Sequence, residues 1–333
     1  MVHRGISIGV IWIAVAGAGA THTRPLQPSY QVVHGWPRLP EGHTLGQAAG
    51  VDVDSHGNVF VFHRAGRLWA GPAAPEDPAL AVLDQPTIEV FDGSSGRHLR
   101  SWGANTFLLP HGLTIDRQDN VWLTDVGLHQ VFKFNAAGKL LLSLGKARVP
   151  GADRSHFNMP TDVAVLPDGS FYVSDGYRNN RVIKFSANGD YEFEWGSKGS
   201  GAGQFDLPHA VDVDSKGRVY VADRSNARIQ VFDAAGKFLT QWRDKRLGRP
   251  YSLSISGRRA VVIDGGDKPG SIVDHAGAAE VDLDGRFLAR FGRFGSYDGE
   301  FRVAHDVAFA RDGSVYVVDA FGQRVQKFVR RSH

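Results

Sequence analysis

The chain of 333 residues contains no cysteine, only two methionines, and a net charge of just +3. Without cysteine there is no disulfide, so strand pairing and packing must hold the fold together. Beyond its first twenty residues the chain shows no convincing 3.6-residue apolar periodicity, which leaves little room for helices. Its basic residues are scattered and no aromatic run interleaves with a basic patch. The sequence pI of about 9.1 therefore makes no case for nucleic acid.

What the chain has in abundance is glycine, 40 residues of it, set in turns between short alternating strands. One pattern recurs six times. It reads Ala49-Gly50-Val51-Asp52-Val53, His111-Gly112-Leu113-Thr114-Ile115, Thr161-Asp162-Val163-Ala164-Val165, His209-Ala210-Val211-Asp212-Val213, Tyr251-Ser252-Leu253-Ser254-Ile255 and His305-Asp306-Val307-Ala308-Phe309. Each copy leads into a turn and a second β-rich run, such as Val121 to Asp125 or Val219 to Asp223. In most units a third and a fourth run follow. Four antiparallel strands per unit at a period of roughly 40 to 60 residues describe a propeller blade. The expected fold is all-β, a six-bladed β-propeller. The last unit has only three strands, and Tyr30-Gln31-Val32-Val33 is the best donor of a fourth, closing the ring and covering a sheet edge.

Residues 1–20 differ in kind. His3 and Arg4 precede an apolar stretch from Ile6 to Ala16, and Ala18-Gly19-Ala20 offers small residues where a signal peptidase reads. The expectation is a signal peptide over 1–20, cleaved before Thr21, and a single propeller domain over 21–333. The alternative, a retained membrane anchor, has too short an apolar stretch for a bilayer. The protein is thus expected to be exported, periplasmic or secreted, monomeric and without a membrane anchor after cleavage. No cysteine follows the segment to carry a lipid.

Three histidines, His111, His209 and His305, share one register on alternate units. Six positions drawn at a frequency of 14 in 333 would hold about a quarter of a histidine. In a closed ring of six, alternate positions lie a third of a turn apart, so three imidazoles converge if that register faces the axis. Three neutral imidazoles suit Zn2+, with one position left open for a substrate; ligand type alone leaves iron or manganese open. His34, His43, His56, His98 and His333 carry no such signal. A second register, just after each second strand, holds Arg64, Val126, Gly176, Arg224, Gly265 and Ala320. Its two arginines stand on opposite blades and suit a carboxylate, unless an acid such as Asp223 pairs with them. Tyr177 follows at the same rim, where the sequence by itself favours a packing aromatic in a loop.

The segments Phe62-His63-Arg64, Leu109-Pro110-His111-Gly112-Leu113, Thr124 to Lys133, Pro160 to Val165, Ser174-Asp175-Gly176-Tyr177, Pro208-His209, Ala222-Asp223-Arg224 and His305-Asp306 together resemble the peptidyl-α-hydroxyglycine α-amidating lyase family, from about residue 46 to 329. The resemblance implies a propeller of NHL repeats that cleaves a C-terminal α-hydroxyglycine, in a peptide or small N-acyl substrate, to an amide and glyoxylate. It implies His111, His209 and His305 as zinc ligands, Tyr177 as catalytic base, and Arg64 and Arg224 around the substrate. It further implies a structural Ca2+ held by the Asp306 carboxylate and the carbonyls of Val51 and Leu113. Animal members carry cysteine pairs where this chain has Asn158 with Arg178 and Tyr220 with Val231, so the Tyr177 loop is unstapled here. Val303-Ala304 replaces their Met-Pro before the third histidine. The hydroxylated substrate is expected from elsewhere. Two other readings stay open, a non-catalytic NHL propeller that binds a partner and a metal-dependent lactone hydrolase; the second usually uses carboxylate and amide ligands rather than histidines.

Overall fold

Six four-stranded antiparallel sheets form a closed ring in the computed structural model, which describes Met1 and residues 30–69, 80–266 and 275–331. The proposed signal segment therefore lies outside the described residues. The innermost strands are Ala48–Val53, Pro110–Ile115, Asp162–Val165, Pro208–Val213, Pro250–Ser256 and Ala304–Phe309. Among the described residues, helix is confined to two 3-10 turns, Arg224–Asn226 and Lys245–Leu247.

The core is not one mass but six wedges, one between each pair of neighbouring blades. Phe62, Phe107 and Leu123 fill the first, between blades one and two. Val61, Phe91, Tyr316 and Val318 fill the last, between blades six and one. Second strands such as Val121–Asp125 are buried at every residue, because a blade packs a neighbour on each face. Only an outermost strand such as Tyr191–Trp195 alternates between half-buried and exposed positions. Each fully buried Phe, Val or Ile contributes about 1.5–3 kcal/mol. The ring thus gains most from interfaces that exist only once neighbouring blades are both present.

Closure follows the sequence expectation. Tyr30–Val32 pairs antiparallel with Arg324–Arg330, in register Tyr30 to Arg330 and Val32 to Phe328. Tyr30 is buried against Phe291 at 4.8 Å between ring centroids, with the Arg330 guanidinium over its ring. The chain then crosses toward blade one, and Trp36 packs between Tyr316 of blade six and Phe91 of blade one. There two histidines that looked uninformative acquire a role. The buried Glu89 carboxylate faces His43 at 3.1 Å, His98 at 2.6 Å and His63 at 3.6 Å.

In five blades an aspartate ends the second strand and ties down the loop that enters the blade. Asp125 accepts from the amides of Leu108, Leu109, Gly127 and Leu128, and Asp319 from those of Arg302, Val303 and Gly322. Blade one has His63 in that place, and its Nδ1 accepts from the amides of Gly46 and Ala65. These ties make the rim rigid enough to aim side chains at the axis.

Candidate functional site

The register shared by the innermost strands faces the axis. The ligating nitrogens of His111, His209 and His305 lie within 4.8 Å of one another, and the three residues are buried. Their ring centroids are 4.8, 4.9 and 5.0 Å apart, close to three-fold symmetry. The alternate blades complete the arrangement. His111 Nδ1 donates to the carbonyl of Thr161 at 2.8 Å, His209 Nδ1 to Tyr251 at 2.6 Å and His305 Nδ1 to Ala49 at 2.7 Å. Blades two, four and six supply the rings, and the same register of blades three, five and one supplies the acceptors. A carbonyl only accepts, so every Nδ1 carries the proton and every Nε2 presents a lone pair. Burial, and then the positive charge of Arg64, hold the His111 ring down to about 3, and burial holds His209 and His305 well below the usual histidine value. Three lone pairs meeting in a buried space repel one another unless a cation lies between them. The donor set fits a tetrahedral ion with an open fourth position.

Tyr177 closes over this point, its Oη 3.1 Å from His111 Nε2 and 3.2 Å from His209 Nε2. It arrives there by a one-residue slip. In blades one, two, four and six the amide of Arg64, Val126, Arg224 or Ala320 donates to the carbonyl two residues before the axial position. In blade three it is Tyr177, not Gly176, whose amide faces Met159 O, at 3.5 Å. Gly176 permits this, because a Cβ there would sit 1.9 Å from the Pro208 carbonyl oxygen. Met159 and Leu207, which begin these turns, both have φ of 65°, an uncommon conformation for large side chains. The loop lacks a disulfide but not anchorage. Asp175 accepts from the amide of Asn158, from Asn179 Nδ2 and from Arg181 Nε. Tyr220 and Val231, the other unbridged pair, are cross-strand partners.

The two arginines flank the tyrosine. Arg64 is 2 % exposed, donates to the Pro110 carbonyl and Gln47 Oε1, and lies over the Trp69 ring, which in turn packs on Tyr177. Arg224 is not paired with Asp223, whose carboxylate takes Arg228 and Asn226 instead. Its guanidinium lies 3.6 Å from the centroid of the Tyr251 ring, and its Nη2 donates to Tyr251 Oη. Arg224 Nε is buried without a hydrogen-bond partner among the described residues. Burial raises the Tyr177 phenol above its ordinary value, and Arg224 and Arg64 pull it part of the way back. Val126 and Ala320, in the arginine register, are simply buried.

Below the histidines lies a second polar space of about 70 Å³, lined by Val51, Leu113 and Asp306 together with Asp52, Asp162 and Asp212. The four carboxylates are half-buried in the channel wall and are satisfied mainly by backbone amides, such as Val51 N on Asp306 and Ile115 N on Asp52. Burial pushes Asp52 and Asp212 up to about 7 and Asp306 to about 6. Clustered, half-buried carboxylates with no basic partner among the described residues suit a hard cation with oxygen ligands.

Reasoning from sequence passed over three residues of this site. Gln47 and Trp69 gave no signal. Tyr251 did, since it occupies the register of the three histidines.

The fold and its axial site define an NHL-type six-bladed propeller. The NHL repeat model matches residues 107–134, 157–185 and 205–232. Peptidyl-alpha-hydroxyglycine alpha-amidating lyase 2 of Drosophila melanogaster is 32 % identical over 329 residues, which cover 91 % of this chain and 76 % of that one. Peptidyl-glycine alpha-amidating monooxygenase A of Xenopus laevis is 40 % identical over 303 residues, or 85 % of this chain. Of that longer relative the chain spans about a third, 32 %. A solved streptogramin B lyase shares the fold, with a TM-score of 0.55 at 15 % identity over 87 % of this chain and 95 % of that one. The chain belongs to the peptidyl-α-hydroxyglycine α-amidating lyase family.

Proposed function

We propose that the protein is a metal-dependent carbon–nitrogen lyase that splits a peptidyl- or N-acyl-α-hydroxyglycine into an amide and glyoxylate. One observation carries the reading: Tyr177 Oη lies within 3.2 Å of two of the three converging Nε2 atoms, between Arg64 and Arg224. His111, His209 and His305 would hold a zinc ion, which when bound would supply Lewis acidity toward the substrate hydroxyl. Tyr177 takes the hydroxyl proton as base. Its phenolate is opposed by burial and favoured by the two arginines, and a bound cation would act in the arginines' direction. Arg64 and Arg224 hold the carboxylate, the fork of a guanidinium matching its two oxygens. As the C–N bond breaks, glyoxylate leaves and the nitrogen gains a proton. No water is added, which makes the step an elimination rather than a hydrolysis.

A calcium ion on Asp306, with the Val51 and Leu113 carbonyls, would neutralise the carboxylates below. Export, with cleavage after residue 20, belongs to the same proposal.

The test is conversion of α-hydroxyhippurate to benzamide and glyoxylate by zinc-loaded protein, abolished by chelation. Tyr177→Phe keeps the ring and its contacts with Trp69 but removes the ionisable oxygen. Turnover should fall about 10²–10⁴-fold, with the melting temperature nearly unchanged. Glyoxylate release that survives Tyr177→Phe removes the residue from the role of base. No release by zinc-loaded wild type leaves a binding propeller as the better reading.

A further inference from the structure

The elimination needs an acid as well as a base, and the axial ring contains a second phenol. Tyr251 stands in blade five at the register that holds His111, His209 and His305, and it is 7 % exposed. Its ring lies 5.0 Å from that of His209 and 5.8 Å from that of His305. Space has been cleared for it. Gly265 occupies the arginine register of the same blade, and a Cβ there would sit 2.4 Å from the Tyr251 ring. A larger residue at 265 would displace the phenol from the rim.

The partners of its oxygen define what it can do. Arg224 donates to Tyr251 Oη and stacks on its ring, so this oxygen is already an acceptor. Its own proton must then point elsewhere. Among the described residues Arg224 has no carboxylate partner of its own, and its buried Nε has no hydrogen-bond acceptor. A guanidinium held against a phenol oxygen stabilises the negative charge that develops there as the phenol gives up its proton. Tyr177 and Tyr251 both interact with Arg224, and each ring packs on that of His209.

We propose that Tyr251 is a second catalytic residue, the acid that protonates the departing amide nitrogen. This rests on the lyase reading above. The hydroxyl proton passes to the Tyr177 phenolate and the O–H electron pair becomes the C=O bond of glyoxylate. The C–N pair moves onto nitrogen, which takes the Tyr251 proton and leaves as the amide. Tyr251 is left as a phenolate against Arg224. One proton transfer from the Tyr177 phenol to the Tyr251 phenolate restores the starting state, so the net change is a proton moved from oxygen to nitrogen.

Tyr251→Phe is a clean probe, because the ring under Arg224 stays and His209 bonds to the backbone carbonyl, not the side chain. Zinc content and KM for α-hydroxyhippurate should stay near wild type while kcat falls about 100-fold. An acid role makes a further demand. A nitro group on the benzoyl ring gives a leaving amide that needs less help from a proton donor, so it should restore much of the lost rate in Tyr251→Phe and change wild type little. A kcat within about threefold of wild type overturns the assignment. So does a loss that is the same for both leaving groups, or one that falls on KM alone, since either marks Tyr251 as a support for Arg224. Wild type assayed alongside separates the cases: without glyoxylate from it the lyase reading falls, and this inference with it.

Discussion

The backbone carbonyl of Tyr251 accepts the Nδ1 proton of His209 at 2.6 Å, one blade away. The tautomer of each axial histidine, with Nε2 left as the acceptor, is thus set by its neighbour's main chain, which no side-chain substitution removes. Loss of a ligand should therefore read out as loss of metal rather than loss of structure. His209→Ala should lower bound zinc from one equivalent to well under half at micromolar concentrations, because two imidazoles replace three poorly. Elemental analysis after zinc loading measures this. Equal content in the two proteins would place any metal elsewhere.

Arg64 and Val126 occupy equivalent places on neighbouring blades, and only the first carries charge. Arg64→Ala should raise KM and lower kcat, with kcat/KM down about 100-fold or more, and Arg64→Lys should recover only part, since an ammonium lacks the bidentate fork. Val126→Ala should cost about 1–2 kcal/mol of stability for its cavity yet leave kcat/KM within about threefold. Steady-state kinetics and thermal melts on the three variants decide it, and a Val126→Ala enzyme as impaired as Arg64→Ala would contradict the assignment.

The strand Tyr30–Val32 supplies the fourth strand of blade six. Removing the chain before Gly35 strips a buried tyrosine from Phe291 and bares the edge of Arg324–Arg330. The loss should be about 2–4 kcal/mol, with a melting temperature lower by several degrees and a tendency to aggregate. A truncated protein that melts like the chain beginning at Thr21 would show that the ring closes without this strand.

The carboxylates below the histidines give a pH test of the calcium proposal. Burial pushes Asp52 and Asp212 up to about 7, above the unfolded value of about 4. Groups raised in this way stabilise the fold fully below about pH 4, and the contribution is lost as pH rises through 7. Calcium should offset that loss, so it should raise the melting temperature more at pH 8 than at pH 5.5. Comparing each pH with and without calcium cancels the opposite contribution of His111, whose ring is held down to about 3. A calcium effect no larger at pH 8 would speak against an ion among these carboxylates.

The ring and half of its site were legible because both follow the repeat. A shared register turns sequence spacing into angle, so His111, His209 and His305 could be placed around an axis before any coordinates. The same device located Arg64 and Arg224, and it could have located Tyr251, which shares the histidine register but was passed over. What the repeat does not encode is departure from itself. The slip that brings the Tyr177 amide to Met159 depends on room beside the Pro208 carbonyl, a contact 32 residues along the chain. The gathering of His43, His63 and His98 on Glu89 joins the arm before blade one to three strands, and no period relates them.

Because rings and acceptors alternate, each histidine in the axial trio borrows its carbonyl from the following blade, and His305 borrows from Ala49 of the first. The site therefore has no partial form. A nascent chain carrying five blades would hold two of the three imidazoles, and both would lack the third. Capture of the proposed metal should then wait for the last blade to dock on the first, so that such an ion would report ring closure during synthesis.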